Sequence, residues 1–327
     1  MLTTRFTKLV GCSVPIQQAG MGAAAPPELA CAVSEAGGLG MIGTARPGMN
    51  PDTLAGLLRR TRELTNRSFG VNFIPRHYRR ETVRAFVEQA AKVGRVVECF
   101  YTEPDAELVR VIHHQGALAS WQVGSREEAL KAAAVGCDII VAQGVEAGGH
   151  VRGTLGLLGL LCEVLDAVPE IPVLAAGGIG TGRAMAAVLA AGADGVRIGT
   201  RFVAAEEAGV HPVYTDALIA ARAEDSVYGR TFHVGWPEAP HAVLRSAVEA
   251  VQASDGDIVA KVPGLDGTEH AVPRFSAHVA DRSATGQIQA MALYAGQSVS
   301  AVRRVAPARE IIQELVKEAE DLLRRPH

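Results

Sequence analysis

Asp138-Ile-Ile-Val-Ala142, followed by Gln143-Gly-Val-Glu-Ala-Gly-Gly-His150 and then by the leucine-rich run 155–165, is the stretch that decides the fold. The first part is an apolar run of strand length rich in β-branched residues, and the last has the length and composition of a helix. Between them a run of small residues delivers one imidazole to the end of a buried strand. Strand, glycine loop, helix is one βα unit, and the same unit can be sought on either side.

Seven further strand-like runs are found at 14–18, 39–42, 69–73, 96–100, 117–121, 172–176 and 195–198, with helix-like stretches between them. Such alternation is the pattern of a parallel sheet, and eight units close into a (β/α)8 TIM barrel. A doubly wound open sheet is the competing α/β arrangement. Helix starts fall where this register needs them. Asn50-Pro51 offers a cap with proline at the first helical position, Ser125-Arg-Glu-Glu128 a capping box, and Thr181 a cap for the alanine-rich run that follows.

The reading divides the chain into a barrel core at 1–205, an inserted lid or small helical subdomain at 206–300, and a C-terminal helix at 301–327 that packs on the barrel. The middle stretch loses the alternation and is interrupted by Pro212, Pro237, Pro240, Pro263 and Pro273. Long insertions in barrels collect on the catalytic face, so its expected place is over the barrel mouth. In the last stretch Ile311, Leu315, Ala319 and Leu322 form an apolar stripe at helical spacing.

Composition narrows the function classes. With 48% apolar residues, 35 glycines and few aromatics, the 327-residue chain fits an α/β enzyme. A formal charge of -3 gives no electrostatic case for nucleic acid or an anionic membrane, leaving a small molecule as the expected partner and a homo-oligomer compatible with it. Cys12, Cys31, Cys99, Cys137 and Cys162 are scattered without a CxxC pair, which argues for a reducing compartment. Neither an apolar leader nor a run long enough to span a bilayer is seen, so a cytoplasmic location is expected.

Gly38-Leu-Gly40-Met-Ile-Gly43 matches the dinucleotide-binding GxGxxG literally, but a helix-like segment precedes it and a strand overlaps it. These glycines are read as closing a helix and starting strand two. Gly177-Gly-Ile-Gly-Thr-Gly182 follows predicted strand seven and Gly199-Thr200 follows strand eight. In barrels the loops after those two strands commonly hold a phosphate through backbone N–H groups, so the pair predicts a phosphate-bearing ligand. Among the histidines no metal-ligand spacing occurs, and no metal is expected. His150 stands apart by lying just past a barrel strand, where an imidazole can exchange protons near neutral pH.

The sequence resembles the FMN-dependent barrels that comprise nitronate monooxygenases (2-nitropropane dioxygenases) and flavin-type enoyl-acyl carrier protein reductases. The likeness is carried by Gln143-Gly-Val-Glu-Ala-Gly-Gly-His150, Ala175-Ala-Gly-Gly-Ile179, Arg197-Ile-Gly-Thr-Arg-Phe202, Gly70-Val-Asn-Phe73 and Tyr294-Ala-Gly-Gln-Ser298. It implies an FMN lying across the C-terminal mouth of the barrel. By similarity Met21 lies near the flavin, Asn72 and Gln143 bond it, Gly148, Gly177 and Gly178 admit the phosphate tail, and Arg197, Ile198, Gly199 and Thr200 finish the phosphate site. The implied activity is oxidation of alkyl nitronates with O2, with His150 as base. An enoyl thioester reductase, an NAD(P)H:quinone reductase and a non-catalytic flavin binder are the rivals. In one place the chain departs from the family pattern: Val151-Arg152 precede Gly153, which lengthens the loop by one residue and adds a cation near His150.

Overall fold

A computed structural model of the chain describes residues 2–324. Strands β1 (Ile16–Gln18), β2 (Gly40–Gly43), β3 (Phe69–Phe73), β4 (Val96–Cys99), β5 (Leu118–Val123) and β6 (Ile139–Gln143) supply six staves of the barrel. After the two-residue strand β7 (Gly149–His150), β8 (Val173–Ala176) and β9 (Gly195–Ile198) supply the other two. Every pairing among the eight is parallel, in the order β1-β9-β8-β6-β5-β4-β3-β2. Closure between β2 and β1 rests on one bridge, Gln17 to Leu39, where the Leu39 N–H donates to the Ile16 carbonyl at 2.8 Å and the Gln18 N–H to the Leu39 carbonyl at 2.9 Å. The fold is a TIM barrel; the open doubly wound sheet is excluded by this closure.

Helices α1 (Arg5–Val10), α2 (Pro27–Glu35), α3 (Pro51–Leu64), α4 (Arg80–Ala91), α5 (Ala106–His114), α6 (Arg126–Ala134), α7 (Leu157–Ala167), α8 (Gly182–Ala190) and α9 (Thr200–Val203) accompany the barrel. The caps read from sequence form, except that the Ser125–Glu128 box is not reciprocal, because the Glu128 carboxylate accepts from the Gly124 N–H at 2.7 Å instead. Asn50 Oδ1 accepts from the N–H groups of Asp52 and Thr53 at 3.0 Å, Ser125 Oγ from Glu128 at 3.2 Å, and Thr181 Oγ1 from Ala184 at 3.2 Å. The glycines of the GxGxxG match do packing work. A Cβ on Gly40 would lie 1.8 Å from the Ala30 carbonyl oxygen, and one on Gly43 2.3 Å from Gly22 N, so β2 can press on α2 and on the loop after β1 only without side chains there.

The barrel interior is filled by Leu39, Met41, Val96, Ile139, Val141 and Leu174, joined from below by Phe6 and Val10. Those two residues lie on α1, a helix the sequence reading did not draw, which plugs the end of the barrel opposite the mouth. The larger core lies between the staves and the outer helices.

Residues 206–300 combine α10 (Pro212–Ala220) and α11 (Arg245–Ala253) with β10 (Ser226–Gly229), β11 (His241–Leu244), β12 (Ile258–Pro263), β13 (Glu269–Pro273) and β14 (Thr285–Gly286). β10 and β11 form an antiparallel sheet that continues onto β7, so this segment is stitched to the loop that carries His150. The chain ends in α12 (Ala308–Leu323), with Ala308, Ile311, Ile312, Leu315 and Ala319 buried. It lies so close to α8 that a Cβ on Gly182 would be 2.4 Å from the Leu315 carbonyl oxygen. Among the described residues no helix is long and apolar enough to cross a membrane.

Losing α12 would strip the cover from α8. Truncation after Val305 is expected to yield insoluble chain, measured as the soluble fraction after expression, whereas Leu315→Ala should fold but lose about 2–5 kcal/mol in denaturant unfolding. A soluble, fully active truncate would show that this helix is dispensable.

Candidate active site

The C-terminal ends of the staves enclose a cavity of about 510 Å³. Buried polar side chains, Asn72, Gln122, Gln143 and Arg197, form its floor, and Glu98 lies beneath them. Glu98, in the middle of β4 and fully buried, accepts from Arg197 Nη2 at 2.6 Å, from Asn72 Nδ2 at 2.8 Å and from Gln17 Nε2 at 2.8 Å. Three donors from three strands neutralise and orient one carboxylate, which in turn fixes the faces that Arg197 and Asn72 present upward. Removing either charge of this pair would leave its partner buried alone, a loss of about 3–5 kcal/mol.

Some polar atoms on this floor have no partner. Both amide atoms of Gln122, Oε1 of Gln143 and Nε of Arg197 are buried without a hydrogen bond, and all three residues line the cavity. Buried polar groups are ordinarily satisfied, so a cluster of orphans facing one cavity marks the place of a polar ligand. The other Gln143 amide end is engaged: Nε2 donates to the His150 carbonyl at 3.0 Å, tying β7 to the end of β6.

At the β8 and β9 end the wall is nearly all backbone. Gly177 and Gly178 follow β8 with φ of 113° and 68°, positive values that glycine adopts without strain, and both line the cavity. Gly199 and Thr200 follow β9, and Ser298 joins them on the cavity wall. Gly148 comes so close to Gly296 that a Cβ would lie 2.5 Å from its nitrogen, and the Gly296 N–H donates to Thr200 Oγ1 at 3.0 Å.

His150 is held on β7 opposite His241 of β11. Its ring stacks on Trp236 at 4.1 Å and 28°, with Tyr294 at 5.5 Å and Tyr101 at 6.4 Å completing an aromatic enclosure. Tyr101 adopts a φ of 60°, rare for a bulky residue, and its ring packs edge-on against Trp236 at 4.6 Å. The neighbouring His241 has both nitrogens committed: Nε2 accepts from the Phe232 N–H at 3.1 Å and Nδ1 lies 3.1 Å from the Ala239 carbonyl, to which it donates. Burial lowers its pKa, so it stays neutral and structural at neutral pH. That leaves His150 as the histidine of this pair that faces the cavity.

The sequence profile of the nitronate monooxygenase family matches residues 3–318. The chain belongs to the nitronate monooxygenase family. It is therefore an enzyme, a flavin-dependent oxidoreductase that acts on a small molecule. One relative, the (3aS,4S,5R,7aS)-5-hydroxy-7a-methyl-1-oxo-octahydro-1H-indene-4-carboxyl-CoA dehydrogenase of Rhodococcus jostii, is 35% identical over 75% of this chain and 66% of its own length. Among solved structures, FabK from Thermotoga maritima superposes with a TM-score of 0.79 at 30% identity, covering 99% of this chain and 98% of that one. Nitroalkane oxidase from Streptomyces ansochromogenes gives 0.76 at 30% identity, covering 97% and 98%.

Within this family frame, the cavity gathers Met21, Asn72, Gln143, Gly148, His150, Gly177, Gly178, Arg197, Gly199 and Thr200 from the C-terminal ends of five staves, β1, β3, β6, β8 and β9. Ile198 does not line it; its side chain is buried in the outer core and its carbonyl accepts from the Ala19 N–H at 2.9 Å. Arg152, the cation added by the longer loop, is matched by acidic side chains. It pairs with Glu103 and Glu128 and lies 5.9 Å over the Tyr101 ring. Gly153 is needed for the same loop, since a Cβ there would meet the Gly124 carbonyl oxygen at 2.3 Å.

Several residues of the site escaped the sequence reading. Gln122 sits one residue past the drawn end of its strand, Glu98 is hidden inside an apolar run, and Trp236 lies between Gly235 and Pro237 with no periodic signal. Glu98 had a signal: a lone carboxylate in Val96-Val-Glu-Cys99 must find partners if the run is buried.

Proposed function

We propose that the protein binds FMN across the mouth of the barrel and oxidises alkyl nitronates, formed in part from nitroalkanes in its own site, with O2. The observation that carries this reading is the pairing of orphaned amides at Gln122 and Gln143 with a glycine-walled pocket after β8 and β9. Amides of that kind can both donate to and accept from a flavin ring, and the Gly177–Gly178 and Gly199–Thr200 backbones suit a phosphate monoester. The glycine-rich match at 38–43 is used up in packing, which argues against an adenosine-bearing cofactor there.

When bound, FMN supplies the acceptor for the substrate's electrons and passes them to O2. The chain's own part is positional and acid–base. Asn72 and Arg197, fixed from beneath by Glu98, hold the ligand's polar edge, and Met21 packs along it. His150 accepts a carbon-bound proton on a ring nitrogen, or donates from it to the oxygens of a nitronate. Trp236, Tyr294 and Tyr101 exclude water around that proton, which raises the worth of each charge in the site. Burial raises the pKa of both tyrosines, so they remain protonated and cannot compete as bases near neutral pH. Segment 206–300 acts as the lid, since it supplies Trp236, His278 and Tyr294 to the cavity wall.

Reduction of an enoyl thioester is a second reading, favoured by the superposition on FabK over nearly the whole chain. Heat release of the ligand followed by mass measurement tests the cofactor: FMN is expected, and a colourless protein that fails to take up added FMN would end the proposal.

A further inference from the structure

The aromatic rings around His150 come from two parts of the chain. Tyr101 belongs to the barrel, in the loop after β4, and Trp236 to the 206–300 segment, in the connection between β10 and β11. There His233, Val234, Gly235, Pro237 and Glu238 are all exposed, while Trp236 is 2% exposed. The Trp236 N–H closes the turn by donating to the His233 carbonyl at 3.0 Å, and the Val234 N–H ties it to its own segment by donating to the Phe275 carbonyl at 2.9 Å. An exposed turn that buries one large ring over an imidazole is a flap. Backbone pairing of β7 with β11 fixes where the His150 side chain starts, but the way its ring is turned is set by what packs on it.

One side chain reaches this flap from the barrel and touches both the ring and its flank. Arg76 lies in the short 3-10 turn Pro75–His77 after β3. Its guanidinium carbon is 4.9 Å from the centre of the Trp236 ring, and its Nη2 pairs with the carboxylate of Glu238, two residues further along the flap. The indole therefore contacts the His150 imidazole at 4.1 Å and the Arg76 guanidinium at 4.9 Å. Neither Arg76 nor Glu238 lines the cavity, so neither is placed to touch a substrate. Arg152 makes the matching contact on Tyr101, but its partners Glu103 and Glu128 are barrel residues, so that contact ties barrel to barrel. Arg76 with Glu238 ties barrel to flap.

An ion pair with side chains 34% and 56% exposed contributes little by itself. The cation over a buried indole contributes more, because the ring face is desolvated and the charge has one place to sit. We propose that Arg76 is a positioning residue: with Glu238 it clasps the flap to the barrel and holds Trp236 on His150, so that the aim of the imidazole at a carbon-bound proton depends on an ion pair outside the cavity. This rests on the reading of His150 as the base.

Arg76→Gln and Glu238→Gln, each in the flavin-loaded enzyme, test the clasp, and both side chains are exposed enough for the variants to fold. In Arg76→Gln, flavin reduction by a nitroalkane without oxygen should slow by about threefold to thirtyfold, with a pre-ionised nitronate nearly unaffected, and Arg76→Lys should recover part of the loss. Added to His150→Asn, the same substitution should cost nothing further, since a residue that acts through another is not additive with it. A second readout does not need turnover. The chain has two tryptophans, both buried, and Trp121 is tied by its Nε1, which donates to the Thr102 carbonyl at 3.0 Å. Acrylamide should therefore quench one emission component in both variants and neither in wild type. Equal losses for nitroalkane and nitronate, or losses that multiply with His150→Asn, would make Arg76 merely structural and overturn the proposal. Unchanged quenching would overturn it too. If wild type turns over no nitro compound, the reading of His150 as base fails separately, and quenching judges the clasp: a new quenchable component in both variants supports it, and none refutes it.

Discussion

His150→Asn is expected to slow oxidation of neutral nitroalkanes by about 10²- to 10⁴-fold, the usual contribution of a positioned general base. Asparagine keeps a polar side chain on β7 but has no group that takes up a proton near neutral pH. Pre-ionised nitronates have already lost the proton in question and should suffer far less. The comparison is made by following flavin reduction without oxygen for both forms in wild type and variant. Equal losses would assign His150 to holding the nitro oxygens. Loss for neither would leave the aromatic enclosure around it without a chemical purpose. His241→Asn serves as the contrast: its ring is tied to Phe232 and Ala239, so its replacement should lower stability and leave the difference between nitroalkane and nitronate intact.

Gly178→Leu should abolish retention of the flavin, because two costs fall on the same atom. The φ of 68° is strained for any residue with a side chain, and a leucine would crowd the cavity wall that Gly178 lines, where the proposed phosphate tail would lie. A Cβ at this position meets Glu146 Cβ at 3.4 Å, ordinary contact, so the chain itself has room and the variant should still fold. Absorbance of the purified protein in the flavin bands, set against its far-ultraviolet circular dichroism, reads both expectations together. A folded variant that keeps its yellow colour would remove the phosphate from this pocket.

The barrel could be read from the chain because each stave is a short apolar run ended by small or polar residues. That regularity follows from burial on both faces, which a parallel barrel imposes on every strand. His150 and the glycine pairs at 177–178 and 199–200 could be read because their positions after strands carry meaning in such a fold. What stayed hidden depends on contacts distant in sequence. The role of Glu98 arises from Gln17, Asn72 and Arg197 on three other staves, and the stacking of Trp236 on His150 joins residues 86 positions apart with no periodic pattern between them. Helix α1 has only Phe6 and Val10 to advertise it, and their burial makes sense once a barrel end exists to be plugged. That Glu103 and Glu128 meet Arg152 could not be read from the sequence, since they lie 49 and 24 positions away.

The most direct measurement is the absorbance of the purified protein on adding an alkyl nitronate in the absence of oxygen. Bleaching of the flavin bands within the turnover time, with colour returning when O2 is admitted and little bleaching by NADH or NADPH, is the result this account predicts. Flavin that stays oxidised with nitronate but is reduced by NADH or NADPH would contradict it. Reoxidation of that reduced flavin by an enoyl thioester or by a quinone would then decide between the two reductase readings.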